Sequence, residues 1–384
     1  MKILHLADLH LGRSSIEPKA RARRMNALRN AISEARRFDV DAIVVAGDVF
    51  DSPNVDSQVV RLAAKTFDSA TNSNGDPVPV IIISGNHDPS DSNELWSRFQ
   101  SALPSNSSVQ LALLPKIFNL CEGRLCIEAY PNEYRWSPNS PWHSRLDISG
   151  LTPNATRVVV SHGTLQGGKV PIGDSDSYPF TMEDVESLAA DYVALGHFHS
   201  TYPAWESDDE TERRSVSFAG THEPDRFGQD SGYVLLVEFE SSRKAVVKRI
   251  PVAVSDWRMV KIGSANDLGD LRNLASAVES SDDPSRFVVR VQSEEGVSLT
   301  AEQLQEIERL LASLEALGVD VNQRGVFELS LDMDDLDFDS LPTGAVAETI
   351  VELKAELQTS SDELLLPVIR EAIQLGWLHI SQER

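Results

Sequence analysis

Cysteine is scarce: two in 384 residues. Two thiols cannot build the disulfide framework on which small secreted folds rely, so a reducing cytoplasm is the expected compartment. Bases are also short, with 35 Lys and Arg against 59 Asp and Glu and a net charge of −24. That balance argues against gripping nucleic acid or anionic lipid by bulk positive charge. It leaves room for an enzyme acting on nucleic acid, because a local patch or a bound cation can invert the field at a site. Long apolar runs are missing too. The run at residues 78–83, interrupted by Pro79, is far too short to span a bilayer. The chain passes from Met1-Lys2 directly into Ile3-Leu4-His5-Leu6 with no signal-like apolar stretch, so neither secretion nor a membrane anchor is expected. No long internal repeat is visible, which excludes solenoids and propellers.

What is present is an ordinary globular composition, 41% hydrophobic and 24% charged, in a chain long enough for two or three domains. The acidity is uneven: residues 256–384 carry a net −16, and residues 1–255 only −8 over twice the length. A boundary is therefore expected near Ser255. A second falls where Asp332, Asp334, Asp335, Asp337 and Asp339 crowd ahead of Pro342, a pattern expected of a solvated linker. The expected organisation is a first domain over 1–255, a small α+β unit over 256–331, an acidic linker at 332–343, and C-terminal helices in 344–384.

In the first 255 residues, strand-like runs alternate with helical ones. Strands are expected at 3–7, 41–46, 79–84, 125–129, 157–161, 192–195, 216–219 and 232–240, with helices at 20–37 and 57–70. The reading is an α/β (α+β) fold of two mixed sheets packed face to face with helices outside. Beyond Ser255, strands at 258–262, 286–292 and 326–331 alternate with helices at 267–280 and 301–317. Two amphipathic helices at 344–357 and 362–375 follow. Val346, Ile350, Leu353 and Leu357 form one stripe, and Leu365, Val368, Ala372 and Leu375 the other.

Chemistry concentrates at strand ends. Asp8-Leu9-His10 follows the first strand, Gly47-Asp48 the second and Gly85-Asn86-His87-Asp88 the third. His162-Gly163 and Gly196-His197-Phe198-His199 close two later ones. Carboxyl ends of parallel strands converge on one edge, where such sheets place ligands. Three oxygen donors (Asp8, Asp48, Asn86) and four imidazoles (His10, His162, His197, His199) are too many for one ion and suit two, one carboxylate bridging. Mixed nitrogen and oxygen ligands without thiolate favour Mn2+, Fe2+ or Zn2+ over Ca2+ or a structural zinc. A pair of ions about 3.5–4 Å apart suits in-line attack on a phosphoester.

Together these five segments resemble the calcineurin-like metallophosphoesterases, and finer detail resembles their SbcD-like DNA-repair exonucleases, which include the YhaO group. Residues 42–50 (AIVVAGDVF) with Asp51 carry that likeness, as do 192–199 (YVALGHFH), Phe218-Ala219-Gly220-Thr221 and Gly232-Tyr233-Val234-Leu235-Leu236-Val237. The resemblance implies one ion on Asp8, His10, Asp48 and His199, and the other on Asp48, Asn86, His162 and His197. Mn2+ is the expected metal, with Fe2+, Zn2+ or Mg2+ as alternatives. His87 would assist the leaving oxygen, and Asp88 would orient His87 through a ring-nitrogen hydrogen bond. Residues 256–331 match the family's capping domain in position and element order. The implied activity is a DNA exonuclease/endonuclease acting at ends or hairpins. The implied partners are DNA and an SbcC-like SMC-type ABC ATPase held through the C-terminal helices; oligomers are common in the family, and a homodimer is a further expectation. For DNA phosphates, residues 13–37 offer a basic rim, chiefly Arg13, Lys19, Arg21, Arg23 and Arg24. The same catalytic loops would also serve a small-molecule phosphoesterase acting on cyclic nucleotides or phosphomonoesters.

Overall fold

In the computed structural model, the apolar runs become strands with both faces covered. The structure describes residues 1–13, 18–167, 177–205, 211–240, 245–294, 298–324, 328–329 and 344–359, with seven further residues between 365 and 376. The acidic linker expected at 332–343 and most of the helix expected at 362–375 lie outside the described residues. Strands β1 (Lys2–Leu6), β2 (Ala42–Ala46), β3 (Val80–Ile83) and β4 (Val109–Ala112) run parallel in the order β4-β3-β2-β1. A second sheet is built from β5 (Lys116–Leu120), β6 (Leu125–Tyr130), β7 (Thr156–His162), β8 (Tyr192–Gly196) and β10 (Val216–Phe218), in the order β10-β8-β7-β6-β5. It is parallel except for the edge strand β5. Antiparallel β11 (Tyr233–Phe239), β12 (Ala245–Pro251) and β9 (Thr211–Arg213) extend the first sheet beyond β1.

Successive side chains of each strand enter different cores. Ala42, Val44 and Ala46 of β2 meet Ile127, Val158, Val160 and Ala194 between the two sheets. Ile43 and Val45 face the opposite way, onto α1 (Pro18–Phe38), α2 (Ser57–Asp68) and α3 (Asn93–Ala102) through Leu28, Ile32, Val60, Phe67 and Phe99. A strand covered on both sides has no polar alternation to show, which is why these runs are unbroken in sequence. The outer face of the second sheet is closed mainly by Trp142, Phe180, Leu188 and Val185 of the short α4 (Met182–Glu186). The expected fold of two mixed sheets face to face, flanked by helices, is thus present.

By contacts the chain divides into two units, Met1–Ser255 and Asp256–Arg384. The second holds a parallel sheet of β13 (Asp256–Ile262), β14 (Phe287–Ser293) and β16 (Asp320–Arg324). Helices α5 (Leu268–Glu279) and α6 (Ala301–Ala316) pack on it through Leu271, Val278, Ile307 and Leu314. The strand expected at 326–331 is not the one that pairs with β14. Gly318 turns the chain at φ +82°, and Val319 and Val321 then fill the core, so pairing starts earlier. Glu328–Leu329 forms β17, a short partner of β15 (Ser298–Leu299). Helix α7 (Ala345–Thr359) follows. Among the described residues no helix is long and apolar enough to cross a membrane.

Candidate metal centre

Strands β1, β2 and β3 of one sheet and β7 and β8 of the other each hand over to a polar residue at their carboxyl end. The turns there are tight: Asp8 (φ 53°), His10 (φ 42°), Asp48 (φ 51°) and His197 (φ 106°) all lie in the left-handed region. A non-glycine residue held there costs of order 1–3 kcal/mol and persists only where surroundings over-determine it, a pattern concentrated at functional sites. Backbone bonds fix these turns, with His10 N–H donating to Asp48 O at 3.0 Å and Leu11 N–H to Val49 O at 2.9 Å. The two sheets meet backbone to backbone here. A Cβ at Gly196 would stand 2.0 Å from Ala46 O and 2.8 Å from His162 Nδ1, so only glycine fits.

Asp48 sits at the centre. Its Oδ1 accepts from His87 N–H at 2.8 Å, which fixes the carboxylate plane. Its Oδ2 then lies 3.6 Å from His10 Nε2 and 3.4 Å from His162 Nε2, between two groups of potential ligands. Ligand atoms of Asp8, His10 and His199 lie within 4.8 Å of one another on one side, and those of Asp8, Asp48 and His162 on the other. Asn86 Oδ1 faces His162 Nε2 at 2.8 Å and His197 Nδ1 at 3.0 Å. Both Asp8 oxygens accept from His197 N–H, at 2.9 and 3.1 Å. The seven residues singled out by sequence therefore come together.

Whether these donors fit cations is decided by where their lone pairs point. His162 Nδ1 donates to Ala46 O at 2.9 Å, so Nε2 is the nitrogen turned into the cluster, and it would become a lone-pair donor once a cation displaced its proton. It faces Asn86 Oδ1 and Asp48 Oδ2, so nitrogen and oxygen donors converge on one point. His10 Nε2 and His197 Nε2 are buried without a hydrogen bond, while the Nδ1 atoms of His10 and His199 face the carboxylates of Asp51 and Asp225 at 3.4 and 3.3 Å. Buried nitrogens left so are costly, and divalent cations would relieve them. The donor set fits a pair of such ions.

The protein's own groups already balance charge around that point. At Asp48 burial opposes ionisation, but His162, His10 and His87 outweigh it and hold the carboxylate well below its usual range. Burial also opposes charge on His162, yet Asp48 and Asp8 push its pKa up to about 9. At His10 and His197 burial dominates, and they fall to about 4 and about 3. Those two rings are neutral donors at pH 7.

Two expectations need correction. Asp88 does not touch the His87 ring. It is fully buried, with Oδ1 accepting from Gly85 N–H at 2.7 Å and Oδ2 from Phe50 N–H at 2.9 Å. It thus ties the turn after β2 to the turn after β3, and the His87 ring is held instead by Asp51, whose carbonyl accepts from Nδ1 at 2.9 Å. Nor is the basic segment a continuous rim. Arg24 is 2% exposed and donates to Leu9 O and Thr221 Oγ1, and Arg23 is buried as well. On a helix packed against a sheet, consecutive bases cannot all face water. Lys19 and Arg21 are exposed on α1, while Arg13 reaches the centre and pairs with Asp225 at 2.7 Å. His222 is buried and its Nε2 donates to Arg24 O at 2.8 Å.

Sequence reasoning missed Asp225. Its Oδ2 lies 3.3 Å from His199 Nδ1 and also reaches Arg13 and Arg24. Asp225 follows the Gly220–Thr221 turn by a few residues, and a carboxylate that close to a histidine-bearing edge was the available signal. Asp51, to which sequence assigns no role, holds His87 through its carbonyl while its carboxylate stands 3.4 Å from His10 Nδ1. The cluster opens into a cavity of about 840 Å³ lined also by Arg13, Arg135, Trp136, Arg226 and Gln229.

Comparison with known proteins agrees with this geometry. The family model described as calcineurin-like phosphoesterase matches residues 1–243. An uncharacterized metallophosphoesterase, YhaO of Bacillus subtilis, is 28% identical over 261 residues, covering 62% of this chain and 57% of its own. The D component of the nuclease SbcCD from Staphylococcus epidermidis is 26% identical over 228 residues (53% of this chain, 58% of its own). The corresponding SbcCD component of Bacillus subtilis is 28% identical over 229 residues (52% and 57%). The matches thus span less than two thirds of each of these relatives.

Proposed function

The chain belongs to the calcineurin-like phosphoesterase family, and on that premise we propose that it is a metal-dependent DNA nuclease cleaving phosphodiesters at DNA ends or hairpins. Family membership carries metal-dependent phosphoester hydrolysis. The step to nucleic acid rests on one observation: in a protein of net charge −24, the cavity over the cluster is lined by Arg13, Arg135 and Arg226. Asp48 and Asp51 line the same cavity and Asp225 pairs with Arg13 and Arg226, so the attraction for a phosphodiester strand would come from the guanidiniums together with cations bound at the cluster. The relatives named as components of the nuclease SbcCD support the same reading.

In this proposal Asp8, His10, Asp48 and His199 would hold one ion, and Asp48, Asn86, His162 and His197 the other, with Mn2+ the preferred metal. Bound there, the ions supply Lewis-acid charge and an acidified water. The chain's own contribution begins with His87. Its Nδ1–H is committed to Asp51 O, so Nε2 is the nitrogen left to carry a proton to the leaving oxygen. Asp48 keeps its Oδ2 turned between His10 and His162 because His87 N–H holds the other oxygen. Arg135 and Arg226 neutralise phosphate oxygens at the mouth. The unit from Asp256 onward would act as the capping domain. Helix α7 leaves Val346 and Val351 40% and 52% exposed, a surface suited to an SbcC-like ATPase.

The test is cleavage of labelled duplex, hairpin and single-stranded DNA in Mn2+ by the wild type and His87→Ala, with and without that ATPase. The wild type should cut, and the variant should lose about 100-fold or more at unchanged metal content. Intact DNA beside hydrolysis of a small phosphodiester would convert the reading to a small-molecule phosphoesterase.

A further inference from the structure

Single exposed apolar side chains are ordinary, but exposed aromatic surface grouped at the mouth of a polar cavity is a mark of a binding site. Trp136 is 57% exposed and Tyr134 51%, whereas Trp96 and Trp142 are buried. Trp136 also lines the cavity that holds His10, Asp48, Asn86 and His87, next to Arg135.

This exposure does not come from a slack loop. Asn132 N–H donates to Ser84 O at 3.1 Å, and Asn132 O accepts from Ser84 Oγ at 2.8 Å and from Ser90 N–H at 2.9 Å. Glu133 O accepts from Asp91 N–H at 3.0 Å, and Tyr134 N–H donates to the Tyr178 hydroxyl at 2.9 Å. Arg135 O accepts from Ser177 Oγ at 3.1 Å, and Ser137 O from Tyr178 N–H at 2.9 Å. Nearly every residue from 132 to 137 has its backbone anchored, and the indole is held out nonetheless. The anchors at Ser84, Ser90 and Asp91 bracket the segment carrying Asn86 and His87. Trp136 therefore stands on a backbone with a fixed offset from the turn that carries Asn86 and His87.

Resting on the nuclease reading above, we infer that residues 131–137 form a stacking platform on which Trp136 receives an unpaired nucleobase of the strand being cut. A flat apolar face beside an arginine and a phosphoester site matches a nucleotide: the ring stacks and the guanidinium takes a phosphate. Bases inside a duplex are already stacked on one another, so the platform selects single strands, frayed ends or hairpin loops.

The experiment compares oligothymidylate with a fully abasic tetrahydrofuran strand of equal length, in the wild type, Trp136→Ala and Trp136→Phe. Cleavage is measured in Mn2+, and binding is measured by fluorescence anisotropy in EDTA. One stacked base corresponds to about 5- to 150-fold. The wild type should prefer the base-bearing strand by that factor in KM and in binding, with little change in kcat. Trp136→Ala should erase the preference while leaving abasic-strand cleavage, metal content and melting temperature unchanged, and Trp136→Phe should restore most of it. A preference that survives in Trp136→Ala, or none in the wild type, overturns the platform and leaves the nuclease reading intact. Competition by thymidine monophosphate as strong as by the oligonucleotide also overturns it, in favour of free nucleotides. If no DNA is cut, the nuclease reading fails, and base-dependent binding in EDTA still decides the platform.

Discussion

Replacing Asp225 by alanine should do two separable things. Asp225 Oδ2 stands 2.7 Å from Arg13 Nη1, 3.3 Å from Arg24 Nη2 and 3.3 Å from His199 Nδ1. Arg24 is 2% exposed, and its remaining hydrogen bonds go to the neutral acceptors Leu9 O and Thr221 Oγ1. Deleting the carboxylate removes the hydrogen-bonded counter-charge of a buried guanidinium and leaves only the Coulombic pull of Glu223, a loss of up to about 3–5 kcal/mol. For a unit of this size each kcal/mol lowers the melting temperature by about 2–4 °C, so Asp225→Ala should melt about 6–20 °C lower. Loss of the carboxylate behind His199 should also weaken manganese binding by about 10- to 100-fold.

Calorimetry in EDTA and titration with Mn2+ read the two effects independently. Asp225→Asn keeps an oxygen for His199 but not the charge, so it should lose stability while retaining more of the metal affinity. Adding Arg24→Met to Asp225→Ala should recover most of the stability, because an apolar pair can replace a buried ion pair. Acid provides a further check. Burial raises the Asp225 pKa, but His199, Arg24 and Arg13 pull it well below the usual carboxylate range. The folded state therefore binds fewer protons than the unfolded chain, and the contribution is present above pH about 4 and fades as pH falls further. The gap between wild type and Asp225→Ala should narrow there. An Asp225→Ala protein that melts within 2 °C of wild type (about 1 kcal/mol) and binds Mn2+ equally well would refute the reasoning.

Gly85→Ala places a Cβ 2.2 Å from Asp48 Oδ1 and 2.5 Å from Asp48 N. Overpacking of this kind costs about 1–3 kcal/mol, and the displaced carboxylate should lower the bound metal measured by elemental analysis, so full retention would contradict the bridging geometry. His5 is buried beside the Tyr192 hydroxyl at 3.0 Å, and burial lowers its pKa from 6.5 to about 3. Unfolded His5 takes a proton first as pH falls, so stability is lost below pH 6.5, by about 2 kcal/mol at pH 5. His5→Gln should flatten that part of the slope in urea melts between pH 7 and 5, and an unchanged slope would rule His5 out as its source.

The candidate ligands were legible because the signal is local. A buried strand that stops at once in Asp, Asn or His needs no knowledge of its neighbours, and five such stops in order define an edge. What escaped depends on contacts between distant segments. Arg24 reads as one base among eight, and only its packing against Thr221 and Asp225 turns it inward. Asp88 reads as a neighbour of His87, but in a turn the adjacent side chain points elsewhere and meets the backbone of Phe50 and Gly85. The helix Asn93–Ala102 and the short strands Val109–Ala112 and Lys116–Leu120 were missed for a related reason. Their length gives little periodicity, and pairing with β3 and β6 decides the two strands.

Under the proposed nuclease function, the inward turn of Arg24 changes how nucleic acid should be held, and salt can show it. A rim along α1 would engage exposed Lys19, Arg21, Arg29, Arg36 and Arg37 in addition to the cavity arginines. Binding of single strands would then lose affinity with a log–log salt slope of about −5, at about −0.7 per phosphate neutralised. If Arg13, Arg135 and Arg226 at the cavity carry the contact instead, the slope should be only about −1.4 to −2. Arg13 is already paired with Asp225 and faces Asp51 at 3.8 Å, and Arg226 stands 3.7 Å from the same Asp225, so their shares should be smaller than that of Arg135. The shallow slope should flatten further in Arg135→Gln and stay unchanged in Arg21→Gln. A steep slope that responds to Arg21→Gln would restore the helix as the DNA rim. The shallow slope would mean that this acidic protein meets DNA at the metal cavity alone, and that any grip on the flanking duplex comes from a partner.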